Sequence, residues 1–460
     1  AIDTSFGEHL LKRLKKHGME TALIIRYIDD RLAEQHTNSE SITQLEHKEQ
    51  AVRQVSMGNS ITSIKLVSTL EWTEIFEKLS KVEEILRQDP AAIYPEMDFK
   101  SRDRYRHEIE KLSKTYKQSE ISIAKKLVET ATENEKHVGY FLFKKERKLL
   151  YEQIGGGSNE ASSTTFYYFG AITLGTLLLL LSLTYYTIWQ GAALWQVCVM
   201  LLVTLLPLSD VAINIVNWFV THTVEPDFLP KLELREGIPD DAKTLVVIPT
   251  LLSNKNRVVQ LVENLEEYYL ANREKNLYFA LAGDFKDSQT PELEEDQGII
   301  ETATKQIREM NRKYGEAQDI FFFFHRERSH SKNEDKYMGW ERKRGALAEL
   351  NELLLGSKET SYKYIEGNLN HLTGIRYVIT LDADTRLIFE TAKKLIGTML
   401  HPLNKPEVDE KQGVVVQGYG LLQPRVSIDI ESANASGFAR IFAGKGGIDI
   451  YTNAISDVYQ

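Results

Sequence analysis

Three hydrophobic patterns follow one another along the chain. From Ala1 to about Ser163, apolar residues recur every three or four positions, through long stretches without Pro or Gly. Ile75, Leu79, Val82 and Leu86 form one such row within Thr73–Gln88, and Ile109, Leu112 and Tyr116 form another. This spacing lines one face of a helix, so the region predicts an all-α bundle. Pro90 and Pro95 punctuate it. The Gly155-Gly156-Gly157 run reads as a hinge; no Lys-Ser or Lys-Thr follows it, as a phosphate loop would require.

The second pattern is continuous. No charged residue occurs between Ala161 and Ser209. Phe166–Ile188 is long enough to cross a bilayer at about 1.5 Å rise per residue. Gln190-Gly191 marks a break, and Ala192–Leu208, continuing to Val220, predicts a second crossing. Backbone amides in lipid must bond within their own segment, which makes helices the solution. Asp210, Asn214 and Asn217 follow Pro207, where the helix should loosen. They fit either a polar path or the membrane interface. The basic cluster Lys144-Lys145-Glu146-Arg147-Lys148 precedes the first crossing and predicts a cytoplasmic N-terminal region. Two crossings then return the chain to the cytoplasmic side.

The third pattern starts near Asp240, where strand-like runs alternate with helical ones. Leu245–Ile248 precedes a helix over Val258–Ala271, and Leu277–Ala282 one over Ile299–Tyr314. Ile320–Phe324 precedes a helix over Arg344–Leu355, and Tyr377–Leu381 one over Glu390–Met399. Val414–Val416 reads as a further strand. The alternation predicts an α/β layer with a largely parallel sheet, whose ligands bind at the carboxyl ends of the strands. The expected organisation is thus a helical region over 1–163, two transmembrane helices over 164–222, and an α/β domain over 240–460.

Composition narrows the function. Of 460 residues, 42% are hydrophobic and 27% charged, which fits a folded chain. A net charge of −10 argues against a nucleic-acid partner. Cys198 is the single cysteine, so neither a disulfide framework nor a cysteine metal site can form. The chain begins at Ala1 without a secretory leader and stops at Gln460, and is expected to be part of a longer protein.

Polar residues cluster at the predicted strand ends: Pro249 and Thr250, Gly283-Asp284, Lys343-Arg344 ahead of the third helix, and Asp382-Ala383-Asp384. In extended backbone, residues two apart point the same way, so Asp382 and Asp384 can share one hard cation. Alternatively, one can reach the cation and the other a ribose hydroxyl. A metal bridged to a diphosphate stabilises a leaving nucleotide, and Lys343 and Arg344 could add positive charge to the same diphosphate. No P-loop and no GxGxxG follows a strand. By itself Asp-x-Asp is a weak motif, common in surface loops.

These stretches resemble a known family. Val-Ile-Pro-Thr-Leu-Leu (247–252), Gly283-Asp284-Phe285, Lys343-Arg344-Gly345-Ala346-Leu347, Thr380-Leu-Asp-Ala-Asp-Thr385 and Gln423-Pro424-Arg425 are similar to the glycosyltransferase domain of cyclic β-1,2-glucan synthases, glycosyltransferase family 84. Gln54–Thr62, Met97–Arg106 and His137–Tyr140 resemble stretches ahead of that family's membrane helices. The resemblance implies a GT-A-like (Rossmann-like) α/β domain, incomplete here, related to cellulose and chitin synthases. It implies UDP-glucose as donor, Mg²⁺ or Mn²⁺, and inverting transfer to a growing β-1,2-glucan chain. It places the protein in the bacterial inner membrane, with the N-terminal region and the transferase domain in the cytoplasm. By analogy, Pro249, Thr250 and Asp284 would line the donor site, with Asp284 at the uridine. Lys343 and Arg344 would face the diphosphate, and Asp382 and Asp384 would hold the ribose–metal–diphosphate unit. Gln423 and Arg425 would lie near the acceptor. The general base is expected beyond Gln460, since Asp449 and Asp457 are poor candidates. The chain alone is therefore expected to bind UDP-glucose weakly or not at all and to make no glucan. The competing readings are another processive hexosyltransferase of the same fold and a non-catalytic membrane scaffold. A nucleotidyltransferase is less well supported, because a Gly-rich basic start is missing.

Overall fold

The computed structural model describes residues 4–16, 21–34, 38–155, 163–223, 228–316, 318–424 and 429–442. The chain divides into two compact units, Ala1–Ser80 and Lys81–Gln460. The first holds α1 (Thr4–Lys16), α2 (Ala22–Ala33), α3 (Ser39–Thr69) and α4 (Trp72–Leu79). Leu11 and Leu32 are buried in it. Asn38 caps α3 by accepting the Ser41 N–H at 2.7 Å. The apolar row expected as one helix over Thr73–Gln88 is broken at Ser80, whose backbone is extended. Ile75 and Leu79 lie on α4, whereas Val82 and Leu86 start the second unit.

That unit opens with α5 (Lys81–Leu86), α6 (Phe99–Tyr116), α7 (Glu120–Glu133), α8 (Gly139–Phe143) and α9 (Arg147–Ile154). Leu86, Tyr105, Ile109, Leu127 and Phe141 form their common core. Two buried polar networks cross it. Glu83 accepts hydrogen bonds from Arg106 at 2.6 Å and from the Tyr94 hydroxyl at 2.7 Å. His137 bridges Asp89 at 2.7 Å and the Tyr105 hydroxyl at 2.8 Å. Burial works against the Asp89 carboxylate, but His137 and the backbone amides of Tyr94 and Val138 outweigh it and hold its pKa below the usual range. Each charge here has a partner, as a charged group in such a core requires.

Next come α10 (Ser163–Trp189) and α11 (Leu194–Thr223), both long and apolar enough to cross a membrane and with few fully buried residues. They pack on each other, and the Tyr168 hydroxyl donates to Asn217 at 2.7 Å. The expected break falls at Gln190–Ala193, while α11 continues through Pro207. Asn214 donates to the Asp210 carbonyl one turn back.

The α/β layer contains β1 (Thr244–Leu252), α12 (Lys255–Ala271), β2 (Leu277–Phe285), α13 (Glu294–Tyr314), β3 (Phe321–Arg326), the small hairpin β4 (Ser329–Ser331) and β5 (Lys336–Met338), α14 (Arg342–Leu354), β6 (Tyr362–Glu366), β7 (Tyr377–Thr380) and α15 (Thr391–Leu400). The sheet order is β6-β3-β2-β1-β7. β1, β2, β3 and β7 run parallel and β6 is antiparallel to β3. Helices cover both faces, which explains the unbroken apolar runs of β1 to β3. Val246, Ile248, Phe279, Leu281, Phe321 and Phe323 face one core; Leu245, Val247, Tyr278, Ala280, Phe322 and Phe324 face the other.

The parallel α/β layer matches expectation, and Val414–Val416 is a strand as expected; β6 and the short strands β4 and β5 were not anticipated. Val414–Val416 lies in β9 (Val414–Gln417), which pairs with β8 (Glu407–Asp409) in a separate hairpin outside the main sheet. Two short helices follow, α16 (Ile430–Asn434) and α17 (Gly437–Phe442).

The helical part of this unit is joined to the α/β layer. Leu403 lies in the helical core, Leu232 packs against both cores, and Met97 and Leu232 form a β-bridge. The Gly397 carbonyl of α15 accepts a hydrogen bond from the Leu232 N–H at 3.0 Å. A Cβ on Gly397 would lie 2.2 Å from the Leu232 carbonyl oxygen. Gly397→Ala is therefore expected to destabilise the second unit by about 1–3 kcal/mol, read as a lower denaturant midpoint. An unchanged midpoint would show that this junction does not depend on close backbone approach.

Candidate active site

The parallel strands bring their carboxyl ends to one edge of the sheet. Thr250 pairs with Gly283 and Leu251 with Asp284 across β1 and β2. Thr380 pairs with Val247, and the Leu381 N–H donates to the Val247 carbonyl, so the chain leaves β7 just short of Pro249. Pro249 is buried within β1 and Thr250 is half-buried. Four of the anticipated clusters thus sit on neighbouring elements at one edge.

The best-ordered feature at this edge involves a residue not anticipated from sequence. Arg326, the last residue of β3, is fully buried. Its Nε and Nη2 donate to the two carboxylate oxygens of Asp284 at 2.8 and 2.6 Å. Nη1 donates to the Trp340 carbonyl at 2.9 Å and Nη2 to the Arg342 carbonyl at 2.9 Å, while Glu349 of α14 lies 3.3 Å from Nη1. Burial opposes the guanidinium charge, but Asp284, together with Tyr362 and Glu349, more than offsets this and its pKa stays above the ordinary value. Glu349 is secured in turn by the Ser361 N–H at 2.8 Å and hydroxyl at 2.7 Å.

This clamp fixes the turn that leads into α14. Gly339 packs over the ion pair, where a Cβ would lie 2.6 Å from Asp284 Oδ2 and 2.8 Å from Arg326 Nη2. Glu341 and Arg342 both adopt positive φ, +49° each, a conformation that costs non-glycine residues energy. The carbonyls on either side of Glu341 are the ones Arg326 holds. Arg342 reaches back to Asp287, just past β2, at 3.0 Å.

From that turn Lys343 extends to Asp382, and its ammonium donates to Asp382 Oδ1. Arg344 is 86% exposed and lies 3.9 Å from Glu341. Ala383 packs against the core between Asp382 and Asp384, and both aspartates are exposed. The Thr385 N–H closes the turn on the Asp382 carbonyl at 2.9 Å. Among the described residues no cluster of three or more His, Cys, Asp or Glu side chains could hold a metal. Two exposed carboxylates fit Mg²⁺ or Mn²⁺ only where phosphate and water complete the shell, as is usual for Mg²⁺.

Asp284 differs from expectation in its surroundings. It stands inside β2, buried, with both oxygens engaged by Arg326. Gln423 is exposed beyond β9, and Arg425, Asp449 and Asp457 lie outside the described residues. The readable trace of Arg326 in the sequence is a charge ending the Phe-Phe-Phe-Phe-His-Arg strand. A cation closing so apolar a run needs a buried partner.

His325 precedes it. Burial among Phe285, Phe323 and Tyr364 pushes its imidazole pKa down to about 3, and among the described residues neither ring nitrogen has a hydrogen-bond partner. In the unfolded chain the ring titrates near 6.5. Below about pH 6.5 the unfolded state takes up a proton that the folded state refuses until about pH 3. This site therefore costs stability progressively as pH falls through that window. His325→Phe should flatten the loss, gaining about 2 kcal/mol on the wild type between pH 7 and pH 5. Parallel denaturation curves at both pH values would count against a buried neutral imidazole.

The clamp makes a separate prediction. Arg326→Ala leaves Asp284 buried without its partner and should cost about 3–5 kcal/mol. Pairing Arg326→Leu with Asp284→Leu should recover much of that stability. If the single variant unfolds like wild type, the clamp does not organise the turn.

No family model matches the chain. Its whole length aligns, at 35% identity over 485 positions, with the cyclic beta-(1,2)-glucan synthase NdvB of Rhizobium meliloti (strain 1021). The chain spans 17% of that protein's length. Along its entire length, then, the chain is a homologue of one segment of a cyclic β-(1,2)-glucan synthase.

Proposed function

We propose that this chain carries the donor-binding part of a membrane-anchored, inverting glycosyltransferase that builds β-1,2-glucan from UDP-glucose. What supports the reading is the whole-length similarity to a glucan synthase, combined with a cation and two exposed carboxylates at the ligand edge of a parallel sheet. In this reading the sheet is of the GT-A type. Lys343 and Arg344 meet the diphosphate at the start of α14, where the helix dipole also favours an anion. Asp382 and Asp384 hold the ribose and the metal-bearing phosphates. A Mg²⁺ or Mn²⁺ ion, when bound, neutralises charge on the departing diphosphate. Asp284 serves the donor through Arg326, by fixing the turn from which Lys343 projects. Gln423 and Arg425 are assigned to the acceptor side, and no described residue is assigned as general base.

Without ligand, Lys343 and Asp382 neutralise each other across the site. The pair is 58% and 62% exposed, so water screens it and little free energy opposes its opening. A diphosphate could draw Lys343 away and free Asp382 for the metal. Helices α10 and α11 are read as a hairpin through the bacterial inner membrane, with both flanking regions on the cytoplasmic side. Protease added from that side should cleave both flanks and spare the hairpin.

The test is glucan synthesis by a protein of the relative's length that carries this chain. Asp382→Asn and Asp384→Asn should each lower synthesis by about 10²-fold or more, and Lys343→Met by less. Linkage analysis of the product should show β-1,2 bonds. Undiminished synthesis in both aspartate variants would favour a scaffold role, and a different linkage would favour another hexosyltransferase.

A further inference from the structure

Trp340 stands out at the same edge because it is exposed and yet held in place. It is 55% exposed, while Met338 and Gly339 just before it are buried. A large aromatic left in water forgoes the burial that normally makes it worth keeping. Its backbone has little freedom. The Trp340 carbonyl accepts from Arg326 at 2.9 Å, and Glu341 and Arg342 follow in the left-handed region. The underside of the ring is fitted too. A Cβ on Gly345 would lie 2.6 Å from Trp340 Cε3 and 2.0 Å from the Trp340 carbonyl oxygen, so the first turn of α14 can approach only because residue 345 has no side chain. Lys343, three residues on, reaches Asp382. A rigid aromatic surface, a cation and two carboxylates therefore share one turn and one sheet edge.

We infer that Trp340 is a ring-stacking platform for the substrate. The proposal rests on the glycosyltransferase reading and adds to it the residue that receives a flat ring. Two rings of the expected ligands have the right chemistry: the uracil of the donor, which stacks through its π-face, and a glucose ring of the glucan, which presents C–H bonds to an aromatic face. Both would gain from an indole carried on a backbone that the Arg326 clamp already fixes.

The experiment uses the full chain, with UDP and a β-1,2-linked gluco-oligosaccharide as separate probes at high concentration. Binding is followed by equilibrium dialysis and by tryptophan fluorescence. The contribution of Trp340 is the part of the emission that Trp340→Phe removes from that of the five tryptophans. One probe should quench that part. Trp340→Phe should keep affinity for it within about threefold, and Trp340→Ala should lose about tenfold or more. A response to UDP alone assigns the platform to uracil, and a response to the oligosaccharide alone assigns it to glucose; either supports the proposal. Equal binding by wild type and Trp340→Ala, without an emission change, overturns the platform and leaves the glycosyltransferase reading standing. Binding of neither probe by the wild type overturns the platform, and the glycosyltransferase reading is then decided by glucan synthesis in the longer protein. The emission measurement on folded wild type decides the matter even if Trp340→Ala fails to fold.

Discussion

The bidentate contact between Arg326 and Asp284 is the constraint from which the rest of the candidate site follows. A guanidinium and a carboxylate at adjacent strand ends, both out of water, are stable only with their hydrogen bonds met. Asp284 meets the two donors on one side of Arg326, so the donors left on the other side need acceptors. The carbonyls of Trp340 and Arg342 supply them. To present both, the backbone between them takes two positive φ angles at residues that are not glycine. Gly339 then has to be glycine, because the ion pair fills the space its side chain would occupy. Position and direction of α14 are thereby set, and with them where Lys343 emerges.

Much of the architecture was legible because its cause is local. β1, β2 and β3 are buried on both faces, so each is written as an unbroken apolar run, and α12, α13 and α15 carry the helical period that packs against them. The charge-free stretch announced α10 and α11 for the same reason. β6 escaped notice because an antiparallel edge strand with the sequence Tyr-Lys-Tyr-Ile-Glu needs no such run. Val414–Val416 has the right residues for a core strand, yet all three are exposed in a hairpin. Strand propensity reports a suitable surface and does not choose the partner. The break at Ser80 was invisible because the apolar period continues across it.

The site residues divide along the same line. Asp382, Asp384 and Lys343 were recognisable as chemistry-bearing types near predicted strand ends. Arg326 and Glu349 were not, because their role depends on contacts 42 and 23 residues apart that no local pattern encodes. Asp284 lay between these cases. Its position at a strand end was legible, but its engagement by Arg326 required knowing that β2 and β3 are neighbours.

Two ion pairs at one sheet edge therefore have opposite physical characters, and the difference suits opposite tasks. Arg326–Asp284 is buried and multiply bonded, so separating its members would strand charge in the interior at a cost of about 3–5 kcal/mol. Lys343–Asp382 is more than half exposed on both sides, and a pair of that kind contributes about 0–1 kcal/mol. A ligand that bears two phosphates needs far less interaction energy to open the second than to separate the first. Binding would then rearrange the exposed pair while the buried one holds the turn, Trp340 and the start of α14 in place. The candidate site combines a rigid frame with side chains free to exchange partners, and the stabilisation of a departing diphosphate proposed above would draw on both.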